Sequence, residues 1–208
     1  ISSLYDEYYR SIRQDLNDLN DENILKVAGI IAFFRVIDYA NEEMMEKIEL
    51  AFHIPREIFW EAVKRLNNLE ILDMYENEIV RTSDQLLATY LFYLAYFTEM
   101  RVLNFADLLQ NFFPRFQNRL IDVLNPVLNA FNSEKIITIM RPDVDKAWEV
   151  HKSGKDTKTL MDFMQVFWFL KETEILIYVS DCISKIQPET IDLSTIDIKS
   201  NSNLPSPS

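Results

Sequence analysis

Apolar residues recur every three or four positions through the first third of the chain, which is the spacing of helices that bury one face. Asp21 and Asn41 are placed to cap the second and third of these helices, and Pro55 suits the first turn of the fourth. The predicted helices cover residues 3–17, 22–39, 42–52 and 55–67. Their predicted inward stripes are Leu4, Tyr8, Ile12 and Leu16; Ile24, Val27, Ile31, Phe34 and Ile37; Met44, Met45, Ile48 and Phe52; and Ile58, Phe59, Ala62, Val63 and Leu66.

The period changes at residues 71–83, which read ILDMYENEIVRTS. Apolar and polar residues alternate there on both sides of a turn centred on Asn77, and this alternation predicts a β-hairpin. Three short helices followed by a hairpin are the arrangement of a winged helix. The sequence therefore predicts a winged-helix domain within residues 21–100.

The most apolar segment, LLATYLFYLAYF at residues 86–97, directly follows the hairpin. Thr82 and Gln85 have the spacing of a capping box at its start. The segment is too short to span a bilayer, which takes about 20 apolar residues as helix, so no membrane partner is expected. A helix that is apolar all round is normally buried all round. We therefore predict that this helix is a buried joint between the winged helix and the residues that follow it.

The rest of the chain is predicted to be an α-helical array followed by an extended linker or tail. Pro126 is expected to kink one of the helices. KIITIM, at residues 135–140, is predicted to be a short strand or an extended connector. The further helices are predicted at residues 104–113, 115–131, 143–152 and 158–186, the last broken near 171–174. The predicted regions are 1–20, a leading helix; 21–100, the winged helix with its buried joint; 101–186, the helical array; and 187–208, the linker.

Composition and charge limit the classes of protein to which this chain can belong. The 208 residues are 48% hydrophobic, enough for a real core, and two glycines in all favour a mainly α fold. A formal charge of -12 argues against a dedicated nucleic-acid binder, because phosphate contacts need clustered basic residues. Cys182 is the single cysteine, so no internal disulfide can form, and a cytoplasmic location is expected. Because Ile1 stands where a native start would have Met, we interpret the chain as part of a longer polypeptide.

No catalytic, cofactor or metal site is predicted. Gly29 and Gly154 are too far apart to form a P-loop. His53 and His151 have no cysteine or second histidine at ligand spacing, and His53 is interpreted as a connector residue. Cys182 is interpreted as a small buried hydrophobe. Two acidic groups are also assigned structural roles: Glu42, Glu43, Glu46 and Glu49 as a solvated helix face, and Asp143 and Asp145 as helix-starting acids.

The fourth predicted helix would be the recognition helix if the winged helix bound DNA. Its candidate nucleic-acid contacts are Arg56, Lys64 and Arg65. Acidic residues nearly cancel this charge, and the hairpin turn is acidic where DNA-binding wings are basic. The expected partner is therefore protein rather than nucleic acid, and the oligomeric state stays open. The acidic residues concerned are Glu57, Glu61 and Glu70 around the helix, and Glu76 and Glu78 in the turn.

The stretch EIFWEAVKRLNNLEILDMYENEIVRTSDQLLATYLFYLAYF resembles the winged-helix region that follows the nucleotide-binding domain in STAND-type P-loop NTPases, particularly bacterial ones. FWFLKETEILIYVSDCISKI, at residues 167–186, is similar to the helical region downstream in such proteins. The likeness extends over about residues 22–186. Its main features are the Leu69-Glu70-Ile71-Leu72-Asp73 step, Ser83-Asp84-Gln85, and then Tyr90, Phe92 and Tyr93.

The resemblance implies a non-catalytic regulatory module in a signalling or antiphage-defence protein. The module would relay state between an NTPase core before Ile1 and a helical sensor. No nucleotide-binding residue is carried over, because that core is not part of this sequence. Two alternatives remain open, a stand-alone winged-helix transcriptional regulator and a helical enzyme that uses scattered carboxylates. Salt-dependent binding to duplex DNA would favour the regulator.

Overall fold

The computed structural model describes residues 7, 9–18 and 21–186. This part of the chain holds ten helices and one three-stranded sheet, so the prediction of a mainly α fold is confirmed. The helices are α1 (Arg10–Asp18), α2 (Glu22–Phe34), α3 (Glu42–Phe52), α4 (Arg56–Asn68), α5 (Gln85–Phe97), α6 (Phe105–Phe112), α7 (Gln117–Ala130), α8 (Ser133–Ser153), α9 (Thr157–Phe167) and α10 (Glu172–Ser184). The strands are β1 (Val36–Asp38), β2 (Leu72–Tyr75) and β3 (Ile79–Thr82).

Short polar side chains fix where several helices begin. Asp21 accepts a hydrogen bond from the amide of Asn23 at 3.0 Å, and Asn41 accepts one from Met44 at 3.0 Å, so both predicted caps are confirmed. The predicted capping box at the start of α5 is wrong. Asp84 caps this helix instead by accepting from the amide of Leu87 at 2.7 Å, because its extended backbone sets the carboxylate over the first turn.

The second helix ends one turn earlier than the spacing of apolar residues predicts. Arg35 has φ 65°, and residues 36–38 leave the helix to form β1. Ile37 is buried as predicted, but it is buried through the sheet, where it lies opposite Val80. β-Branched residues suit an extended backbone, and pairing with a strand more than 40 residues away makes residues 36–38 a strand rather than the end of a helix.

The three strands form an antiparallel sheet in the order β1-β3-β2. The predicted hairpin is confirmed, and Glu76 and Asn77 at its turn have φ 50° and 56°. Two consecutive residues with positive φ form the type of two-residue turn whose twist matches that of the two flanking strands. Leu72 and Val80 are buried on the inner side of the sheet, against the helices.

The core lies around α2 and α5. A Cβ added to Gly29 would come within 2.3 Å of the Cβ of Ala95, so the two helices approach as closely as glycine allows. Ten of the 13 residues of α5 are buried, and the predicted all-round burial is confirmed for most of the helix. It is wrong for Leu86, which is 58% exposed in the first turn. On α4, Ile58 was also predicted to lie inward and is 43% exposed.

The predicted strand or connector at residues 135–140 is wrong, and so is the separate helix at 143–152. Both belong to α8, a single helix of 21 residues that continues through Pro142. Asn132 caps it by accepting from the amide of Lys135 at 3.1 Å. The β-branched residues of this segment hid its helical pattern. One side of α8 is buried at four-residue spacing, by Ile136, Met140, Val144 and Trp148.

The chain divides into two compact units after Lys171. The first unit holds α1–α9 and the sheet. The second holds α10, and the predicted break between the last two helices is confirmed. No residue of α10 is buried, so the interpretation of Cys182 as a buried hydrophobe is wrong.

Some sequence predictions lie outside the described residues. These are the first turns of the leading helix, with Leu4 and Tyr8, and the extended linker from residue 187. The proposed domain boundaries stay a prediction. None of the helices described is both long and apolar enough to cross a membrane.

Candidate interaction surface

Arg56 at the start of α4 is held by aromatic and acidic neighbours. Its guanidinium lies 4.2 Å from the ring centroid of Tyr39, which in turn stacks on Trp60 at 4.5 Å. It also donates to the carbonyl oxygen of Tyr39 at 2.5 Å and pairs with Glu42 at 3.1 Å. The hydrogen bond that Arg56 donates to the carboxylate of Glu42 raises the pKa of Arg56. Arg56 therefore ties α4 to the segment between β1 and α3, with one face covered by Tyr39.

The other two candidate nucleic-acid residues also lie beside carboxylates. Lys64 forms a hydrogen-bonded ion pair with Glu61 on the same helix, and Arg65 pairs with Asp21 at 2.8 Å. Glu57 is exposed on the same helix. The exposed charges of this helix therefore cancel, and α4 offers no basic footprint of the kind that duplex DNA requires.

The outer face of the sheet combines apolar and acidic groups. Val36 is 54% exposed, Tyr75 44% and Ile79 39%, and the strand register places all three on the same side. Arg81 lies over the ring of Tyr75, donates to its hydroxyl at 2.5 Å and pairs with Asp73 at 3.5 Å. Exposed apolar side chains with an acidic surround suit a protein partner better than a phosphate backbone.

Arg119 on α7 connects the downstream helices to the first part of the chain. Its guanidinium donates to the carbonyl oxygens of Ala32, at 3.0 Å, and Phe33 at the end of α2. It also pairs with Asp122 at 3.6 Å. Burial lowers the pKa of Arg119 to about 10, which leaves the side chain protonated at neutral pH. The sequence carries no signal for this contact, because the partners are main-chain atoms about 86 residues away.

The remaining candidate residues take structural positions. His53 ends α3 with a left-handed backbone, φ 51°. His151 packs against the rings of Phe113 and Phe163, and burial lowers its pKa. Within the described residues, no group of three or more His, Cys, Asp and Glu side chains is arranged to hold a metal ion.

Of the two predictions made for acidic residues, the structure agrees with one and contradicts the other. Glu43 lies on the solvated face of α3, as predicted for this helix, where hydrogen bonds from Lys47 and Arg115 lower its pKa. The interpretation of Asp143 and Asp145 as helix-starting acids is wrong, because α8 begins ten residues earlier. Asp145 pairs with Lys171 at 2.6 Å.

In comparisons with family models, curated proteins and solved structures, no match to this chain was found.

Proposed function

We propose that this chain is a non-catalytic interaction module of a larger STAND-type NTPase, relaying state between an NTPase core and a helical sensor. The first support is the resemblance in sequence. The second is topology, since the element order α2-β1-α3-α4-β2-β3 and the sheet order β1-β3-β2 suit a winged helix. The sequence-based pattern lacked β1, and its presence strengthens the winged-helix interpretation.

The observation that carries the proposal is the partly apolar surface of this region, on which the basic residues of α4 are paired with acidic ones. The basic residues of α4 are paired with carboxylates, and the outer face of the sheet exposes Val36, Tyr75 and Ile79. This combination favours contact with another protein domain over contact with a nucleic acid.

Two contacts support a relay by rigid-body movement. Gly29 lets α2 and α5 pack closely, and Arg119 ties α7 to the end of α2. A displacement applied to the sheet side of α2 would therefore be carried directly to α7. Rigid-body movement of packed elements is a recognised way of transmitting a switch.

The parent polypeptide provides the test. Hydrogen exchange would be compared between its Mg-ADP state and its state with a non-hydrolysable Mg-ATP analogue. We expect protection to change in α4 and β3 but not in α2 and α5. Ile79→Asp should abolish the difference, and Val150→Asp, at an exposed apolar position on α8, should preserve it. Identical exchange in both nucleotide states, or no P-loop motif in the sequence before Ile1, would contradict the proposal.

The same topology favours a second candidate, a stand-alone DNA-binding regulator. Fluorescence anisotropy with a labelled random duplex, at low and at physiological salt, separates the two. We expect only weak binding, with little change when Lys64 and Arg65 are replaced by Gln. Lys152, in the last turn of α8, and Lys155, just after the helix, are exposed and provide the matched control pair for substitution. Tight binding at physiological salt that depends on Lys64 and Arg65 would favour the regulator.

A further inference from the structure

Helix α10 exposes a row of apolar side chains along one side. Four of them follow one another at intervals of three, four and three positions, which is the spacing found where one helix packs lengthwise against another. We call these four residues the α10 stripe. They are Leu176, Val179 and Ile183 of the helix and Ile186 in the turn that continues it, and they are 62%, 40%, 62% and 67% exposed.

The charged residues of this segment lie away from the stripe. At 3.6 residues per turn, the side of the helix opposite the stripe carries Glu174, Asp181 and Lys185. The positions directly beside the stripe are uncharged, and they hold Thr173, Ile175, Ser180 and Cys182. In paired helices, charges at these flanking positions select one partner against another. Because the flanks carry none, a copy of the same helix meets no like charge there, although the whole chain has a formal charge of -12.

Glu172 favours one direction of pairing between two such helices. It is the first residue of α10 and lies four positions before Leu176, in line with the stripe. Parallel copies would bring the two Glu172 carboxylates together, whereas antiparallel copies separate them to opposite ends. The antiparallel arrangement also sets the partial positive charge at the start of each helix near the partial negative charge at the end of the other.

The exposed area of the stripe matches a weak pair. Each of the four residues exposes on the order of 100 Å², so two copies remove about 800 Å² from water. Contacts from the uncharged flanks bring the total to about 1,000 Å², the size at which specific interfaces begin. Obligate dimers bury about 2,000 Å² or more. We therefore expect a dissociation constant on the order of 100 μM, so that the chain is monomeric at low micromolar concentration.

We propose that α10 pairs in antiparallel orientation with α10 of a second copy of this chain, through the α10 stripe. The two-fold axis lies midway along the stripe, so each contact occurs twice. In this register Leu176 of each copy lies opposite Ile186 of the other, and Val179 lies opposite Ile183. The pairing does not depend on the proposed relay function, because it rests on α10 and the turn after it alone.

The first test is the mass in solution of the whole 208-residue chain, measured by light scattering from about 10 μM to about 1 mM. We expect the average mass to rise toward that of two copies across this range. A chain that stays monomeric throughout would mean that the stripe is covered by a different protein or by another part of the chain. That result would overturn the proposal.

Leu176→Asp and Ile177→Asp form a matched pair of variants. The two residues are neighbours on α10 and are 62% and 58% exposed, but Leu176 belongs to the stripe and Ile177 points away from it. Leu176→Asp should weaken association about tenfold or more, because it places a carboxylate from each copy inside the apolar contact. Ile177→Asp should change the dissociation constant by about twofold at most. Equal effects of the two substitutions would overturn the assignment to the stripe.

Ile79→Asp controls for association through the outer face of the sheet, where Ile79 is also exposed. We expect this variant to associate as the unchanged chain does. If Ile79→Asp abolished association while Leu176→Asp did not, the copies would pair through the sheet, and the proposal would be wrong.

Cys182 distinguishes the two orientations. It is exposed and is the single cysteine of the chain, so a cross-link between two copies can only join Cys182 to Cys182. In the antiparallel register the two thiols lie beside each other near the two-fold axis, whereas in a parallel pair they lie on opposite sides of the contact. A short bis-maleimide should therefore join two copies, and Leu176→Asp should prevent it. Absence of this product at a concentration where light scattering shows pairs would overturn the antiparallel arrangement.

Discussion

Helices α5 and α10 have the same length, 13 residues, and each contains a run of five or more consecutive apolar residues. Their environments are opposite, because α5 buries ten residues and α10 buries none. Leu176, Ile177 and Ile183 of α10 are each about 60% exposed, whereas Leu91 and Phe92 of α5 are inaccessible. A run of consecutive apolar residues therefore predicts that a helix packs against other elements, but it does not show whether the compact unit that contains the helix provides them.

The largest expected effect comes from removing the helices that pack against α5. A chain that ends at Met100 lacks α6–α9, and with them the side of the core that contains α7 and α8. We expect this truncated chain to aggregate, because it exposes a large apolar surface. Size-exclusion chromatography with light scattering provides the measurement. A soluble monomer that unfolds cooperatively would show that α5 does not need the downstream helices.

Leu91→Ala should lower the free energy of unfolding by about 2–5 kcal/mol, because it leaves a cavity at a fully buried site. Leu86→Ala is the matched control on the same helix. Since Leu86 is 58% exposed, its replacement should change stability by about 0.5 kcal/mol or less. Urea denaturation followed by circular dichroism measures both. Similar losses for the two variants would contradict the burial pattern of α5.

Arg119→Met should cost about 1.5–3 kcal/mol, because it removes charged hydrogen bonds to two carbonyls at the end of α2. Arg115→Met serves as the control, because the side chain of Arg115 is largely exposed. Its surface pair with Glu43 should contribute about 1 kcal/mol at most. If the two substitutions had equal effects in urea denaturation, Arg119 would not be the tie between α7 and α2.

Gly29→Ala tests the close approach that α5 makes to α2. The added methyl group would meet the Cβ of Ala95, and overpacking of this kind costs about 1–3 kcal/mol. The greater helix propensity of alanine offsets about 1 kcal/mol of that cost. We expect a net loss, and Ala95→Gly should restore part of it in the double variant. A stabilising Gly29→Ala would disprove the close contact.

The smallest effect is expected in α10. Leu176→Ser and Ile183→Ser should change the unfolding free energy of the chain by about 0.5 kcal/mol or less, because both side chains are already exposed. The measurement is the same urea titration, so the result can be compared directly with Leu91→Ala. A loss as large as that of Leu91→Ala would remove the contrast between the two helices.

Local patterns predicted the parts of the fold that are stabilised locally. The hairpin and the caps at Asp21 and Asn41 were predicted because each depends on residues a few positions apart. β1 was missed because Ile37 fits a helical stripe equally well, and its strand depends on pairing with distant Val80. α8 was missed in part because consecutive isoleucines and Pro142 favour a break, whereas tertiary packing of its buried side overrides both.

The balance of charges on the candidate surface could be predicted from the sequence, but the partners of its charged residues could not. The sequence indicated that acids offset Arg56, Lys64 and Arg65, and the structure pairs each of the three with a carboxylate. It did not indicate Asp21 as the partner of Arg65, 44 positions away, or the stacking of Arg56 on Tyr39. Such contacts depend on the fold as a whole, so no spacing rule predicts them.

The length of α8 has a mechanical consequence. At 21 residues the helix is about 30 Å long, which makes it the longest element among the described residues. A tilt of about 10° around one end would move the other end by about 5 Å, close to the rise of one helical turn. Pro142 lies near the middle, where a missing hydrogen bond makes bending easiest. α8 is therefore long enough to turn a small tilt at one end into a large displacement at the other. The point at which it bends most easily lies beside Asp143.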